Sequence, residues 1–302
     1  MSARLFNRSC IRPAFARHAL MALGIGAAII LLVVPVSGQA KLQAPLLLQP
    51  PMDTSSKPWT GKRLADGQPD VHGGVWDIPM GGNGRLTNPL SGSTGPNAAT
   101  AKPRPSRIVD PPDGQIPYQP WALARQQLHE LSWATPSKPE HFDPQGQCLG
   151  GVPKLHYYVS NYTILQSPGY IAFAWEIYHQ YRVIALDGSP HISPNIKLWM
   201  GDGRGRWDGN TLVVDTSNLN AKTRMNIFGD FFSPKAHLTE RFVFTSPDTM
   251  IYEVTIDDPS VFTRPWTMRV PQRRLEARGE LWEEGCVEGS EDRPSAIPIP
   301  IP

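Results

Sequence analysis

The sequence predicts a mainly β domain, an antiparallel meander closed into a barrel or folded as a sandwich, with one packed helix. Short β-branched and aromatic runs follow residue 148, separated by polar turns such as Asp187-Gly188 and Asp208-Gly209. Parallel strands need long, usually helical crossovers, and one helical segment is available to provide them. The 32 prolines and 26 glycines among 302 residues also argue against long helices.

The strands are predicted from alternation of apolar and polar residues with a period of two. In the segment 249–257, Tyr252 and Val254 face one way while Glu253 and Thr255 face the other. The full set of predicted strands is Val71–Asp77, Tyr170–Glu176, 181–186, Thr211–Thr216, His237–Thr245, Asp248–Asp257 and Pro265–Pro271.

The helix is predicted over Trp121–Trp133. Trp121, Ala124, Leu128 and Leu131 recur at spacings of three and four, so they form one apolar face. Pro136 ends the helical pattern.

Residues 1–40 have the layout of an export leader. Four arginines and no acidic residue precede an apolar stretch over Ala19–Val36, and small residues follow at Ser37, Gly38 and Ala40. This pattern predicts a signal peptide, or alternatively a membrane anchor formed by residues 19–36. The expected location is therefore periplasmic or secreted.

Charge argues against a nucleic-acid partner. The formal net charge of the chain is +2, with 29 basic and 27 acidic residues. Because the leader holds four of the basic residues, the remainder has 25 and a charge of −2. We therefore expect no nucleic-acid binding, and membrane contact only through the N-terminal segment if that segment is not cleaved.

The three cysteines are consistent with export. Cys10 lies in the leader, so Cys148 and Cys286 remain as an even pair in an oxidising compartment. We predict a bond between them, with two unlinked thiols as the alternative. Neither cysteine has ligand spacing for a metal.

The predicted domain organisation has four parts. A leader or anchor over 1–40 is followed by a proline-rich tether over 41–69, a single β-rich domain over 70–290 and an extended tail over 291–302. Residues 81–106 are expected to form a long surface loop.

The most distinctive segment is Trp199–Thr216, which reads WMGDGRGRWDGNTLVVDT. Together with 111–118, 181–188 and 240–266, it resembles a large family of exported bacterial proteins of unknown function with the pattern W-M-G-D-x-x-G-R-W-x-G-x-T-L-V-V-D-T. The resemblance covers about residues 70–288 and implies export and a common β-rich fold. The chain departs from the family pattern at Ser189, Gly203, Asn210 and Phe232.

The glycine-rich part of this segment does not predict nucleotide binding. A dinucleotide fingerprint needs a helix after its glycines, whereas TLVVDT follows here as a strand. We interpret 201–209 as a wide turn in which Arg204 and Arg206 face solvent and Trp207 caps the barrel end.

Candidate catalytic residues lie on the predicted strands, and they are Glu253, Glu240, His237 and Arg182. If the Glu253 face lines a barrel lumen, a buried carboxylate there has a raised pKa and serves as an acid or base. The alternative is that this face is the solvent side of a half-buried sheet.

The leading functional hypothesis is an exported β-barrel that binds a small, partly apolar or aromatic ligand in an aromatic-lined cavity. The candidate ligand-binding rings are Trp175, Trp199, Trp207, Tyr252 and Trp266. One alternative is a cofactor-independent lyase, isomerase or hydrolase, and a second is a structural protein of the envelope. No cofactor and no metal site is predicted.

Overall fold

Ten strands form one sheet, and nine of them close into a barrel. In this computed structural model the described residues are 58–78, 86–87, 106–134, 136–138, 141, 143–158, 161–275 and 279–285. The strands are β1 Trp76–Asp77, β2 Ile108–Asp110, β3 Tyr162–Ser167, β4 Tyr170–Trp175, β5 Tyr181–Ala185, β6 Asp202–Asp208, β7 Thr211–Ser217, β8 His237–Ser246, β9 Thr249–Asp257 and β10 Trp266–Arg274.

Closure depends on the short strand β1. The strand order is β1-β3-β4-β5-β6-β7-β8-β9-β10-β2, and β1 also pairs with β10. Trp76 lies opposite Tyr162 of β3 and Arg274 of β10, so β1 joins the two ends of the sheet. Strand β2 pairs with β10 outside the ring. The predicted barrel with one helix is confirmed.

One pair departs from the antiparallel meander. Strands β5 and β6 are parallel, with Ile184 opposite Gly203 and Ala185 opposite Arg204. The connection between them runs over residues 186–201 and contains no helix. It is long enough to return the chain to the starting edge without one, which is why counting helices did not reveal a parallel pair.

The segment interpreted as a wide turn is strand β6, so that interpretation was wrong. Gly203 and Gly205 lie where β6 crosses close to β5. A Cβ atom on Gly205 would lie 2.7 Å from a methyl carbon of Leu186. Glycine is therefore needed for close approach of two strands, and a dense run of glycines concealed the strand.

Apolar residues on alternate positions fill the barrel, as the period-two pattern predicts. In β9, Tyr252, Val254 and Ile256 are fully buried, while Glu253 and Thr255 lie on the opposite face. Phe242 of β8 faces the lumen beside Tyr252, with ring centroids 5.0 Å apart.

The helix α1 spans Pro120–Ala134 and agrees with its predicted position. Its apolar face, however, does not enter the core, because Trp121 is 51% exposed, Leu128 62% and Leu131 68%. The helix instead packs through Ala122 and through Gln126, whose Nε2 donates to the carbonyl oxygen of Phe228 at 3.1 Å.

Part of the predicted tether contacts the barrel. The ring of Trp59 meets Phe244 of β8 edge-on at 6.4 Å, and Arg63 Nη2 donates to Asn210 Oδ1 at 3.3 Å. Residues 1–57, most of the predicted loop 81–106, Cys286 and the tail 291–302 lie outside the described residues.

All the described residues belong to one compact unit of the chain, 44–302. The other unit, 1–43, is not among the described residues. Within the described part of the chain, every helix is too short or too polar to span a bilayer.

Candidate functional site

A buried ion pair lies inside the barrel. Arg182 of β5 donates from Nη1 to Glu240 Oε1 at 2.9 Å and from Nη2 to Glu240 Oε2 at 2.5 Å. Both side chains are essentially inaccessible to solvent. The sequence identified both residues as site candidates, and the barrel brings them together from strands β5 and β8.

Two hydroxyl groups complete the coordination of the carboxylate. Thr216 Oγ1 accepts from Arg182 Nη2 at 2.7 Å and donates to Glu240 Oε2 at 2.6 Å. Tyr252 donates its phenolic hydrogen to Glu240 Oε1 at 2.8 Å. Glu240 therefore accepts four hydrogen bonds, which is the capacity of a carboxylate.

A histidine from a different element fills the lumen beside this pair. The short 3-10 helix Lys154–His156 enters the barrel, and His156 Nε2 lies 3.2 Å from Arg182 Nη1. Five rings surround the imidazole at centroid distances of 4.8 to 6.0 Å, those of Tyr162, Phe173, Trp175, Phe242 and Tyr252. At this level the lumen is occupied by packed rings.

The charges of this cluster are fixed at neutral pH. Burial and the neighbouring Arg182 lower the pKa of His156 to about 3, so the ring is neutral. Burial opposes ionisation of Glu240, but Arg182 outweighs it and lowers the pKa to about 2. Burial and the Glu240 carboxylate raise the pKa of Tyr252 well above 10.

This arrangement favours a structural role for Arg182 and Glu240. The carboxylate has no lone pair left for a substrate proton, and solvent does not reach it. The carboxylate of the pair is fully hydrogen-bonded, whereas Arg182 Nε is buried without a partner among the described residues. The pair links β5, β7, β8 and β9 inside the barrel.

The other two catalytic candidates lie elsewhere on the barrel wall. Glu253 lies on the outer face, where it accepts a hydrogen bond from Arg269 Nε at 2.5 Å and lies 3.6 Å from Arg241 Nε. His237 Nε2 lies 2.8 Å from Asp215 Oδ1 on the exposed surface, and His191 Nε2 lies 2.9 Å from the same oxygen. Neither group meets Glu240.

The candidate ligand-binding rings are divided between the core and the barrel wall. Trp175, Tyr252 and Trp266 are buried in the core. Trp207 is partly buried and packs against Phe244 at 5.9 Å, and Trp199 is partly buried. None of these five residues lines either of the two cavities described below.

Of the predicted disulfide pair, Cys148 is described and Cys286 is not. Cys148 follows the short 3-10 helix Pro144–Gln147 in the left-handed region, at φ 61°. The bond between the two cysteines stays a prediction.

A large cavity lies beside α1, between the helix and the β7–β8 connection over residues 218–236. Its volume is about 820 Å³, which is within the range of small-molecule sites. Its apolar lining comes from Trp121 and Leu128 of the helix and from Phe231 and Phe232 of the connection. We refer to this space as the α1 cavity. A second space on the other side of the helix, beside Tyr118 and Asp230, measures about 110 Å³.

The polar lining of the α1 cavity is basic. Among the described residues that line it none is acidic, and the ionisable ones are Arg125, His129, His141, Lys222 and Arg224. Arg125 lies over the ring of Phe231, with 4.9 Å from its guanidinium carbon to the ring centroid. Arg224 Nη1 donates to the carbonyl oxygen of His141 at 3.2 Å.

The electrostatics of the cavity reflect this excess of positive charge. Burial lowers the pKa of Arg224, Asp143 opposes that shift, and Arg125 adds to it. Burial also lowers the pKa of His129; a hydrogen bond to Gly229 opposes the shift, and Arg224 and Arg125 reinforce it. His129 is therefore neutral at pH 7, whereas the arginines stay charged.

Sequence reasoning missed the α1 cavity, although one signal for it was present. The helical pattern marked the Trp121 and Leu128 face as apolar, and such a face is usually buried. Here it is turned outward, where it forms one wall of the cavity. The basic residues on the β7–β8 connection, Lys222 and Arg224, do not form a sequence motif that predicts a binding site.

The fold is a mixed-topology β-barrel, and the α1 cavity beside its helix is the candidate site. Searches of protein-family models, curated proteins and solved structures found no match to this chain. Within the described residues, no group of three histidine, cysteine, aspartate or glutamate side chains is arranged to hold a metal ion.

Proposed function

We propose that this chain is an exported β-barrel protein that binds a small, partly apolar or aromatic molecule in the α1 cavity. The observation that supports the proposal is the outward orientation of the apolar face of α1. The exposed Trp121 and Leu128 lie beside the buried Phe231 and Phe232, with the rings of Trp121 and Phe231 6.0 Å apart. These side chains form the apolar part of an amphipathic cleft that folding alone does not require. The export part of the proposal depends on residues 1–40.

A binding role fits the site better than catalysis. Of the two carboxylates that the sequence suggested, Glu240 is saturated by four hydrogen bonds inside the barrel. Glu253, whose face was the one considered for the lumen, lies on the outer face against Arg269. The exposed Asp215–His237 pair lies outside both described cavities. A binding cleft needs apolar walls and a few polar groups, and the α1 cavity has both.

The test uses 2-naphthamide, a neutral aromatic probe, and the variant Trp121→Ala. Ligand binding to the folded state raises thermal stability, by about 2.7 kcal/mol at a hundred times Kd. We expect 2-naphthamide to raise the melting temperature of the wild type and to raise that of Trp121→Ala much less. Trp121 is half exposed, so its removal leaves the core intact.

Tyr181→Ala is the matched control, because Tyr181 is an exposed aromatic residue on β5 that does not line the cavity. It should respond to the probe as the wild type does. Equal stabilisation of Trp121→Ala and the wild type would place the probe elsewhere and contradict the proposal. Absence of any stabilisation would contradict it as well.

A further inference from the structure

Two of the basic side chains that line the α1 cavity lie outside the ion pairs of the described residues. Arg125 and Lys222 line it, and neither forms an ion pair within the described part of the chain. Two buried basic side chains are neutralised instead: Lys154 lies 2.9 Å from Asp143, and Arg182 is paired with Glu240. The charges of Arg125 and Lys222 in the cavity have no such partner among the described residues.

Two described carboxylates near the cavity already accept hydrogen bonds from other groups. Asp143 accepts from Lys154 Nζ and from the backbone N–H of Gln145 at 2.9 Å. Asp258 accepts from the backbone N–H of Ser233 at 2.6 Å and from its hydroxyl at 3.1 Å. Neither residue lines the cavity, so its positive potential is not cancelled from within.

The pose of Arg125 leaves donors available. Its guanidinium lies over the face of Phe231 at 4.9 Å. A cation–π contact needs none of the five N–H groups of a guanidinium as a hydrogen-bond donor. A carboxylate or sulfonate in the cavity can accept two of these parallel N–H groups while an attached ring lies against the aromatic wall.

We propose that the ligand of the α1 cavity is an organic anion with a flat apolar body, its anionic group held by Arg125 and Lys222 and its body packed against the aromatic wall that Trp121 and Phe231 form together. This inference rests on the proposed function, because it names the ligand class for the same site. The positive potential that Arg224 and Arg125 impose on each other and on His129 supports it, since an anion relieves that repulsion.

The experiment compares 2-naphthoate with 2-naphthamide, which share size and ring but differ in charge. Isothermal titration calorimetry of the full chain measures both affinities at low and at high salt. We expect 2-naphthoate to bind about tenfold tighter than 2-naphthamide. Raising the salt concentration should weaken 2-naphthoate alone, because ions screen the exposed charges.

Arg125→Gln and Lys222→Gln remove the two charges without disturbing the core, since both side chains are exposed. Each should reduce 2-naphthoate affinity several-fold and leave 2-naphthamide affinity unchanged. Arg206→Gln is the control, because Arg206 is an exposed arginine on β6 that does not line the cavity. It should change neither affinity.

Equal affinities for the two probes, or Arg125→Gln and Lys222→Gln proteins that bind 2-naphthoate like the wild type, would overturn the anion assignment. The proposed function would survive that result, because 2-naphthamide would still bind in a manner that depends on Trp121. If neither probe binds, the proposed function and the anion assignment both fail. Binding of 2-naphthamide therefore tells a failure of the anion assignment alone from a failure of both.

Discussion

The contribution of Arg182 to stability depends on its buried partner, Glu240. Its charge is fully buried, and its two Nη groups donate in parallel to the two oxygens of the Glu240 carboxylate. Burial by itself would lower its pKa, but Glu240 outweighs burial and raises it. The pair is stable as a pair, and neither member has another acid or base of opposite charge within hydrogen-bond distance to replace it.

Arg182→Met should therefore destabilise the fold strongly. The change leaves the Glu240 carboxylate buried without its cation, which costs about 3 to 5 kcal/mol of unfolding free energy. Urea denaturation of the wild type and the variant measures the loss.

The double variant Arg182→Met/Glu240→Met is the control for that prediction. It removes both charges, so it should be more stable than Arg182→Met alone. A double-mutant cycle in which the two losses simply add would contradict a coupled pair.

The neutral state of His156 predicts acid sensitivity. Its pKa is about 3 in the folded chain and 6.5 in the unfolded chain, so below pH 6.5 only the unfolded state takes up this proton. Stability from this group is present above pH 6.5 and falls as the pH drops towards 3. The slope approaches about 1.4 kcal/mol per pH unit. Glu240 adds to the loss only below about pH 4.5.

His156→Phe removes this proton uptake and isolates the effect. Between pH 6.5 and 4.5, the unfolding free energy of the variant should fall less steeply than that of the wild type. The difference in slope should reach up to about 1.4 kcal/mol per pH unit. Comparing slopes cancels any constant loss of stability from the substitution itself. Parallel slopes would mean that His156 is not held neutral in the folded state.

At the scale of elements, the position of α1 depends on one glycine. Gly229 has φ +89°, and a Cβ atom there would lie 2.2 Å from Cβ of His129 on the helix. The helix approaches the β7–β8 connection so closely that only glycine fits. His129 Nδ1 lies 3.2 Å from the Gly229 carbonyl oxygen, which fixes the helix at the same point.

Gly229→Ala should displace α1, distort the wall that the helix gives to the α1 cavity, and lower the free energy of unfolding. We expect a loss of about 1 to 3 kcal/mol from backbone strain alone, with further loss from the clash. Gly209→Ala is the matched control, since Gly209 has φ +60° but open space around its Cβ position. Its loss should stay near the strain cost. Urea denaturation compares the two, and equal losses would contradict a contact between Gly229 and the helix.

Strands and helix differ in how well the sequence predicts them. Alternation around Tyr252 and Glu253 identifies β9 and divides its residues between two faces, and the structure shows that the Tyr252 face fills the lumen. The pattern in Trp121–Trp133 identifies the helix but not which way its apolar face turns. That direction depends on Gly229, Gln126 and Phe228, which are distant in the chain and have no local signature.

The site was less predictable than the fold for a related reason. Arg182 and Glu240 were identified as candidates because they lie on predicted strands, but the face considered for the lumen was that of Glu253. Their contacts with Thr216, Tyr252 and the neighbouring His156 depend on three elements meeting in the lumen. Pairwise register along one strand does not reveal such a meeting.

At the scale of the whole molecule, the predicted Cys148–Cys286 bond would link the short 3-10 helix before the lumen histidine to the C-terminal part of the chain. A bond that closes so long a loop stabilises by about 4 to 5 kcal/mol in the chain-entropy model. We expect both cysteines to resist alkylation in denaturant without reductant, and reduction to lower the unfolding free energy. Cys10→Ser protein serves as the control, and mass spectrometry that finds both thiols alkylated would contradict the bond.

Barrel closure is a property of the whole sheet, and it depends on the two residues of β1. Trp76 is fully buried, meets Phe244 edge-on at 5.8 Å and lies under Arg274, whose guanidinium carbon is 5.0 Å from the ring centroid. Because β1 is the bridge between β3 and β10, loss of this ring removes packing from both ends of the sheet at once. Trp76→Ala should therefore cost about 3 to 5 kcal/mol, whereas Tyr181→Ala on the outer wall should cost far less.

Hydrogen exchange tests whether that loss acts through closure. In Trp76→Ala the amides of β3 and β10 should lose protection before those of β7, β8 and β9, since the latter keep both neighbouring strands. A uniform loss of protection would mean that the variant lowers global stability without separating β1 from β3 and β10. A Trp76→Ala protein as stable as the wild type would show that pairing along the remaining strands closes the barrel without this side chain.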